Sequence, residues 1–214
     1  MPPSPEPLKT PQVQGYLHRP VGEPVAAIVL THGAGSHCEA PLLRALGREL
    51  AGAGLLVLRM DLPYRRRRPM GPPRPPEAAG DRQGLRDAID AVRKLTSAKL
   101  CLGGHSYGGR QASMLAAEDP TLAAALLLLS YPLHPPRKPE QLRTAHFPHL
   151  RTPVCFVHGT RDPFGSIGEM EQAVSQLAAP HRIIAIDGAG HDLRAGRDLS
   201  FCPAFLTFGG VVAG

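Results

Sequence analysis

Short runs of consecutive apolar residues alternate along this chain with longer stretches in which apolar residues return every third or fourth position. The runs are VAAIVL at Val25–Leu30, LLVLRMDL at Leu55–Leu62, LCLGG at Leu100–Gly104, LAAALLLL at Leu122–Leu129, PVCFVHG at Pro153–Gly159 and HRIIAID at His181–Asp187. They are apolar at successive positions rather than alternate ones, so both faces of each strand must be covered, as in a parallel sheet between two helical layers. The intervening stretches supply those layers: Pro41–Ala53, Asp81–Thr96, Gly109–Glu118, Glu169–Ala178 and Arg197–Phe208 are predicted helices. In the second, Leu85, Ile89, Val92 and Leu95 share one face. The third stops at Asp119-Pro120, because proline cannot continue a helix. Val13–Arg19 reads as an edge strand, returned by Pro20-Val21-Gly22-Glu23-Pro24 to the first central strand. Strands alternating with helices imply right-handed crossovers. The expectation is a single α/β domain over residues 13–214 with a mainly parallel sheet, after a disordered or extended tail over residues 1–12.

The strand at Leu100 breaks into Gly104-His105-Ser106-Tyr107-Gly108 before the next helix. Gly-x-Ser-x-Gly between a strand and a helix is the pattern of a nucleophile elbow, which lifts a serine hydroxyl above the sheet on a strained turn. Strand and helix approach so closely there that side chains at the flanking positions would collide. In a chain with 23 glycines the pattern alone is weak, and its company gives it weight. After the Val25 strand comes Thr31-His32-Gly33-Ala34-Gly35-Ser36, a loop placed to offer the Ala34 N–H beside the Tyr107 N–H as a pair of donors for an oxyanion. Asp162 and His191 each follow the C-terminal end of a predicted strand, where parallel α/β sheets carry their chemistry. Ser106, Asp162 and His191 therefore occur in the order Ser…Asp…His. Their chemistry sets the roles: Ser106 the nucleophile, His191 the general base and then acid, Asp162 the carboxylate that orients the imidazole. Asp187, Asp192 and Asp61 are competing acids, and Asp162 is favoured because its loop is where this arrangement carries the acid.

The stretches THGAGS, LRMDLPYRRRR, LGGHSYGGRQAS, SYPLHPP, FVHGTRDPFG and GAGHDL span Val25–Leu193. In them the chain resembles the α/β hydrolases, specifically a small lidless dienelactone-hydrolase-like branch. That branch includes testis-expressed hydrolase-like proteins and a hydrolase-like subunit of a histone acetyltransferase complex. The resemblance implies an α/β-hydrolase fold without a separate lid domain and a triad at Ser106, His191 and Asp162. It supplies no substrate, and some relatives look like interaction proteins. One departure is His105, where many relatives carry Lys or Arg, so a charge role at that position becomes pH-dependent here.

Composition narrows the class. The N-terminal MPPSPEPLKTPQ lacks the charged-then-apolar pattern of a cleaved signal, and Leu122–Leu129 is far too short to span a bilayer. The expectation is a cytoplasmic protein without membrane contact. Cys38, Cys101, Cys155 and Cys202 show no metal-ligand spacing and read as free thiols, with Cys38 open to solvent. His134, His146 and His149 lack ligand-pair spacing and read as surface histidines, whereas His32 and His158 read as packed histidines at strand ends. Neither a metal nor an organic cofactor is expected.

Five arginines and five prolines fall between Arg65 and Pro76 without one acid. So many prolines predict an exposed, partly extended loop at the rim of the site. Its guanidinium groups at Arg65, Arg66, Arg67 and Arg68 are candidates for gripping an anionic substrate, with His37 a further candidate contact. A solvated basic loop is the plainer reading of such a run. The net charge of +6 keeps nucleic acid open, but no aromatic platform accompanies the arginines, so nucleic acid is disfavoured. The Pro- and His-rich Ser130–Arg151 is too short for a lid, so an open site and a small-molecule acyl ester are expected. The function read from sequence is a serine hydrolase of carboxylesterase or thioesterase type. The alternative is a silent hydrolase-like scaffold that meets an anionic partner through residues 65–74.

Overall fold

Each apolar run forms a strand in the computed structural model, which describes residues 2–211. In chain order the elements are β1 (Glu6–Lys9), β2 (Gln14–His18), β3 (Ala26–Thr31), α1 (Pro41–Gly52), β4 (Leu55–Met60), α2 (Pro63–Arg67) and α3 (Ala78–Arg93). They continue with β5 (Leu100–His105), α4 (Tyr107–Glu118), β6 (Leu126–Leu129), β7 (Val154–Gly159), α5 (Ile167–Val174), β8 (His181–Ile186) and α6 (Cys202–Thr207). The strands make one sheet in the order β1-β2-β4-β3-β5-β6-β7-β8. β3 to β8 run parallel, and β1 and β2 form an antiparallel edge. This is the α/β-hydrolase fold. Among the described residues no helix is long and apolar enough to cross a membrane.

The consecutive apolar positions are divided between two cores. Ala27 and Val29 of β3 pack with Leu85, Ile89 and Val92 of α3 and with Leu115 of α4. Ala26, Ile28 and Leu30 of the same strand pack with Leu43, Leu46 and Leu50 of α1 and with Phe205 of α6. Each buried leucine or isoleucine contributes about 1.5–3 kcal/mol through removal from water. Arg59 of β4 is the charged exception. It lies buried under α1, donating Nε–H to His18 Nε2 at 2.7 Å and a further N–H to the Cys38 carbonyl.

Several boundaries differ from expectation for local reasons. Residues 6–9, placed in the tail, pair with β2 and cover its outer edge. α5 ends at Val174 rather than Ala178. α6 begins at Cys202 rather than Arg197, because Leu193–Gly196 turns as a short 3-10 helix first. Arg65–Arg67, expected in an extended loop, instead close the short helix α2, which has its proline at the helix start, where no backbone donor is needed.

The topology places the chemistry. Thr31 of β3 pairs with Gly104 of β5, so the loop leaving β3 lies directly against the turn leaving β5. β7 and β8 pair along their whole length, which sets the loops carrying Asp162 and His191 side by side.

Candidate active site

Ser106 stands between β5 and α4 with φ 52° and ψ −117°, a left-handed backbone that costs a non-glycine residue on the order of 1–3 kcal/mol. The flanking glycines are there for space. A Cβ on Gly104 would lie 2.5 Å from Thr31 Oγ1, and one on Gly108 would lie 2.6 Å from the His32 carbonyl oxygen. The turn and the β3 loop therefore meet nearly main chain to main chain.

The three residues read from the sequence as a triad come together. His191 Nε2 is 2.8 Å from Ser106 Oγ, and its Nδ1 lies 2.8 and 3.0 Å from the two oxygens of Asp162. Asp162 Oδ1 also accepts the Phe164 N–H at 2.9 Å. Burial pushes this carboxyl up, but the His191 hydrogen bond and charge, with the Phe164 N–H, outweigh it and hold the pKa below the usual range. An ionised carboxylate thus fixes the tautomer with Nδ1–H toward Asp162, leaving the Nε2 lone pair for the serine proton. The competing acids are engaged elsewhere. Asp61 accepts the Cys38 N–H, Asp187 the Thr160 hydroxyl and Asp192 the Arg194 N–H.

The Ala34 and Tyr107 N–H groups have no backbone partner among the described residues, and the peptide that carries the first is firmly anchored. Its carbonyl, Gly33 O, accepts from His32 Nδ1 at 2.9 Å and Ser36 N at 3.0 Å, with the Tyr64 hydroxyl at 3.2 Å. Since C=O and N–H point oppositely across a trans peptide, fixing the carbonyl aims the Ala34 N–H. His32 can do this because burial lowers its pKa to about 4, keeping it neutral, with Nδ1–H donating and Nε2 accepting the Leu62 N–H. The single Tyr64 hydroxyl proton is shared between Gly33 O and Ala34 O, the latter nearer at 2.8 Å. Buried Asp81 joins the two donor loops, accepting the Tyr64 N–H at 3.0 Å and the Tyr107 hydroxyl at 2.7 Å. Tyr64 and Asp81 were not singled out in the sequence. One precedes the arginine run, and the other reads as an ordinary acid at a helix start.

Tyr64→Phe tests this anchoring. With the Tyr64 hydroxyl gone, kcat toward an ester is expected to fall about 10-fold with KM unchanged, since a misaimed oxyanion donor weakens the transition state selectively. Equal changes in kcat and KM would refute that role.

The arginines expected to grip substrate do not line the Ser106 cavity. Arg65 is buried and donates to the carbonyls of Ser36, Ala34, Arg68 and Gly71, bracing the loop from behind. Arg66 binds the Pro11 and Gln12 carbonyls, while Arg67 and Arg68 pair with Glu77. His37 lines a different cavity, beside β1 and β2, with Arg65 and Arg66. Cys38 is buried rather than open, and burial pushes its thiol to about 12. His134 is buried and lies 3.4 Å from Glu169, not on the surface.

His105 also departs from expectation. Burial lowers its pKa to about 4, so it is neutral through the physiological range rather than a switch. Its Nε2–H donates to the His191 carbonyl at 2.6 Å, bracing the loop that carries the imidazole.

In front of Ser106 opens a cavity of about 420 Å³. Its walls include Ala34, Pro41, Leu42, Leu43 and Phe164, and among the described residues Asp192 is the one acid and no Lys or Arg lines it. The Phe164 ring lies 4.2 Å from that of His191 and shields its flank.

A family model described as "Alpha/beta hydrolase domain" matches residues 24–200. Among solved structures, a dienelactone hydrolase from Anabaena variabilis is 23% identical with a TM-score of 0.69, over 95% of this chain and 94% of that one. A thermophilic esterase from Thermogutta terrifontis is 21% identical with a TM-score of 0.71, over 99% and 94%. A serine hydrolase homologue from Coxiella burnetii is 19% identical with a TM-score of 0.71, over 92% of each chain. At these identities the likeness is one of fold.

Proposed function

Since this chain belongs to the alpha/beta hydrolase domain family, we propose that it is a serine hydrolase of esterase or thioesterase type, built on the small lidless, dienelactone-hydrolase-like pattern. The hydrogen-bonded series from Ser106 Oγ through His191 to Asp162, on a serine held at positive φ, carries this reading.

The steps follow from the geometry. His191 Nε2 takes the Ser106 proton as Oγ attacks the acyl carbon. The carbonyl oxygen becomes an oxyanion facing the Ala34 and Tyr107 N–H groups, and Asp162 stabilises the imidazolium. The imidazolium returns its proton to the leaving alcohol or thiol, giving an acyl-serine. Water deprotonated by His191 then attacks that ester and restores the serine. No step calls on a metal or an organic cofactor.

The apolar walls favour a small neutral acyl group. A carboxylate placed there would face Asp192 without a cation, so the anionic substrate suggested by the arginine run loses support. The scaffold alternative is weakened at Arg65 to Arg68, whose side chains already bond carbonyls and Glu77.

A fluorophosphonate probe tests the reading on the native protein. Attack by an activated serine expels fluoride and leaves a stable phosphonyl ester. Mass spectrometry is expected to place it on Ser106 at one label per chain. Absence of labelling on folded protein, or labelling at another residue, would overturn the proposal.

A further inference from the structure

A second cavity, of about 320 Å³, shares no lining residue with the one in front of Ser106. Arg44, Arg48 and Arg59 line it together, and among the described residues Glu39 is its one acid. Arg44 and Arg48 stand four residues apart on α1, so they share one face of the helix. Gly47 lets that helix lie directly on the strands below. A Cβ there would lie 2.7 Å from His18 Nε2 and 3.1 Å from Arg59 Cδ. This close approach sets the two helix arginines beside Arg59, which is itself buried.

The partners of each cation show what is still open. Arg59 is committed through two nitrogens, to His18 Nε2 at 2.7 Å and to the Cys38 carbonyl. Its Nη2 lies 3.6 Å from Glu39 Oε1, and its guanidinium carbon 5.2 Å from the centre of the Tyr16 ring. Arg44 Nε lies 3.6 Å from the other Glu39 oxygen. Both separations are longer than a strong charge-assisted hydrogen bond, so Glu39 offsets one charge between two arginines without saturating their donors. The Tyr16 hydroxyl faces the same carboxylate, whose charge raises its pKa. Arg48 has no carboxylate within 4 Å among the described residues. Burial, with the charges of Arg59 and Arg48, lowers the His18 pKa to about 4, so this ring adds no charge. The walls therefore carry three positive charges against one negative.

Cations gathered in a recess, one of them buried, are costly until an anion completes them. An excess of two positive charges matches a phosphate group, which carries about −2 at neutral pH and offers three acceptor oxygens. Guanidinium forks fit those oxygens in pairs. A single carboxylate would leave one charge unmatched. We propose that Arg44, Arg48 and Arg59 form a binding site for a phosphate dianion, free or carried as a monoester, outside the Ser106 cavity.

Calorimetric titration of the full chain with inorganic phosphate, and separately with phenyl phosphate, at constant ionic strength tests this without any turnover. Its failure is therefore distinct from failure of the hydrolase reading. Saturable one-to-one binding of at least one of them at millimolar concentration is expected. The tighter of the two identifies the free ion or the monoester as the ligand. Benzoate, a monoanion, should bind at least about tenfold more weakly. Arg48→Gln and Arg44→Gln should each weaken phosphate binding about tenfold. Both arginines are exposed on α1, so neither substitution disturbs the core. Lys94→Gln, at an exposed lysine outside this cavity, should leave binding unchanged. No saturable binding of either phosphate, binding that survives both arginine substitutions, or benzoate binding as tightly would overturn the proposal.

Discussion

Ser106→Ala is expected to lower kcat toward a short neutral ester about 10⁶-fold, the scale seen when the nucleophile of a serine–histidine unit is removed. Among the described residues no other group is placed to take over. Ser36 lines the cavity, but His191 Nε2 bonds Ser106. Cys38 is buried, held as a thiol by burial, and lies outside the cavity. The backbone at this position has positive φ, which alanine tolerates no better than serine, so the melting temperature must be measured beside the rate. Ser106→Gly relieves that strain and should be equally inactive. A loss smaller than about a thousandfold in a folded variant would mean that the hydrolysis observed runs elsewhere.

Asp162→Asn is expected to cost about 10⁴-fold in kcat with little change in KM. The asparagine amide can donate where the carboxylate only accepts, so His191 is no longer held with its proton on Nδ1. The neutral side chain also cannot stabilise the imidazolium. Asp187→Asn and Asp192→Asn should retain activity within about threefold, because neither carboxylate bonds the imidazole. The depressed pKa of Asp162 has a stability consequence of defined sign. Its contribution is fully present above the unfolded value near 4 and is lost as pH falls through the lower folded value. Asp162→Asn should therefore flatten the acid limb of the unfolding profile. An unchanged limb would show that the carboxylate carries no such linkage.

What could be read from the sequence was local or fixed by chain order. Consecutive apolar residues at Leu126–Leu129 and Val154–Val157 announce strands covered on both faces, and the structure divides them between two cores. Ser106 was legible because the elbow needs small residues at fixed offsets, and those offsets recur in the clashes a Cβ would meet at Gly104 and Gly108. The arginine run was illegible for the opposite reason. What Arg65 does is decided by carbonyls at Ala34 and Ser36, brought beside it only by the pairing of β3 with β4. The same holds for Asp81, whose partners Tyr64 and Tyr107 come from two other elements. β1 was missed because a strand of four mostly exposed residues has almost no apolar pattern to read.

The near-main-chain contact between the elbow and the β3 loop also bears on how such a protein can change. The reacting centre is gripped by glycines whose neighbours leave no room for a side chain, so those positions tolerate almost no variation. The cavity walls are built from side chains at Pro41, Leu42, Leu43 and Phe164, which can be exchanged without entering that contact. Selectivity is therefore free to drift while reactivity stays fixed, and the start of α1 is where a directed library for new acyl preferences belongs.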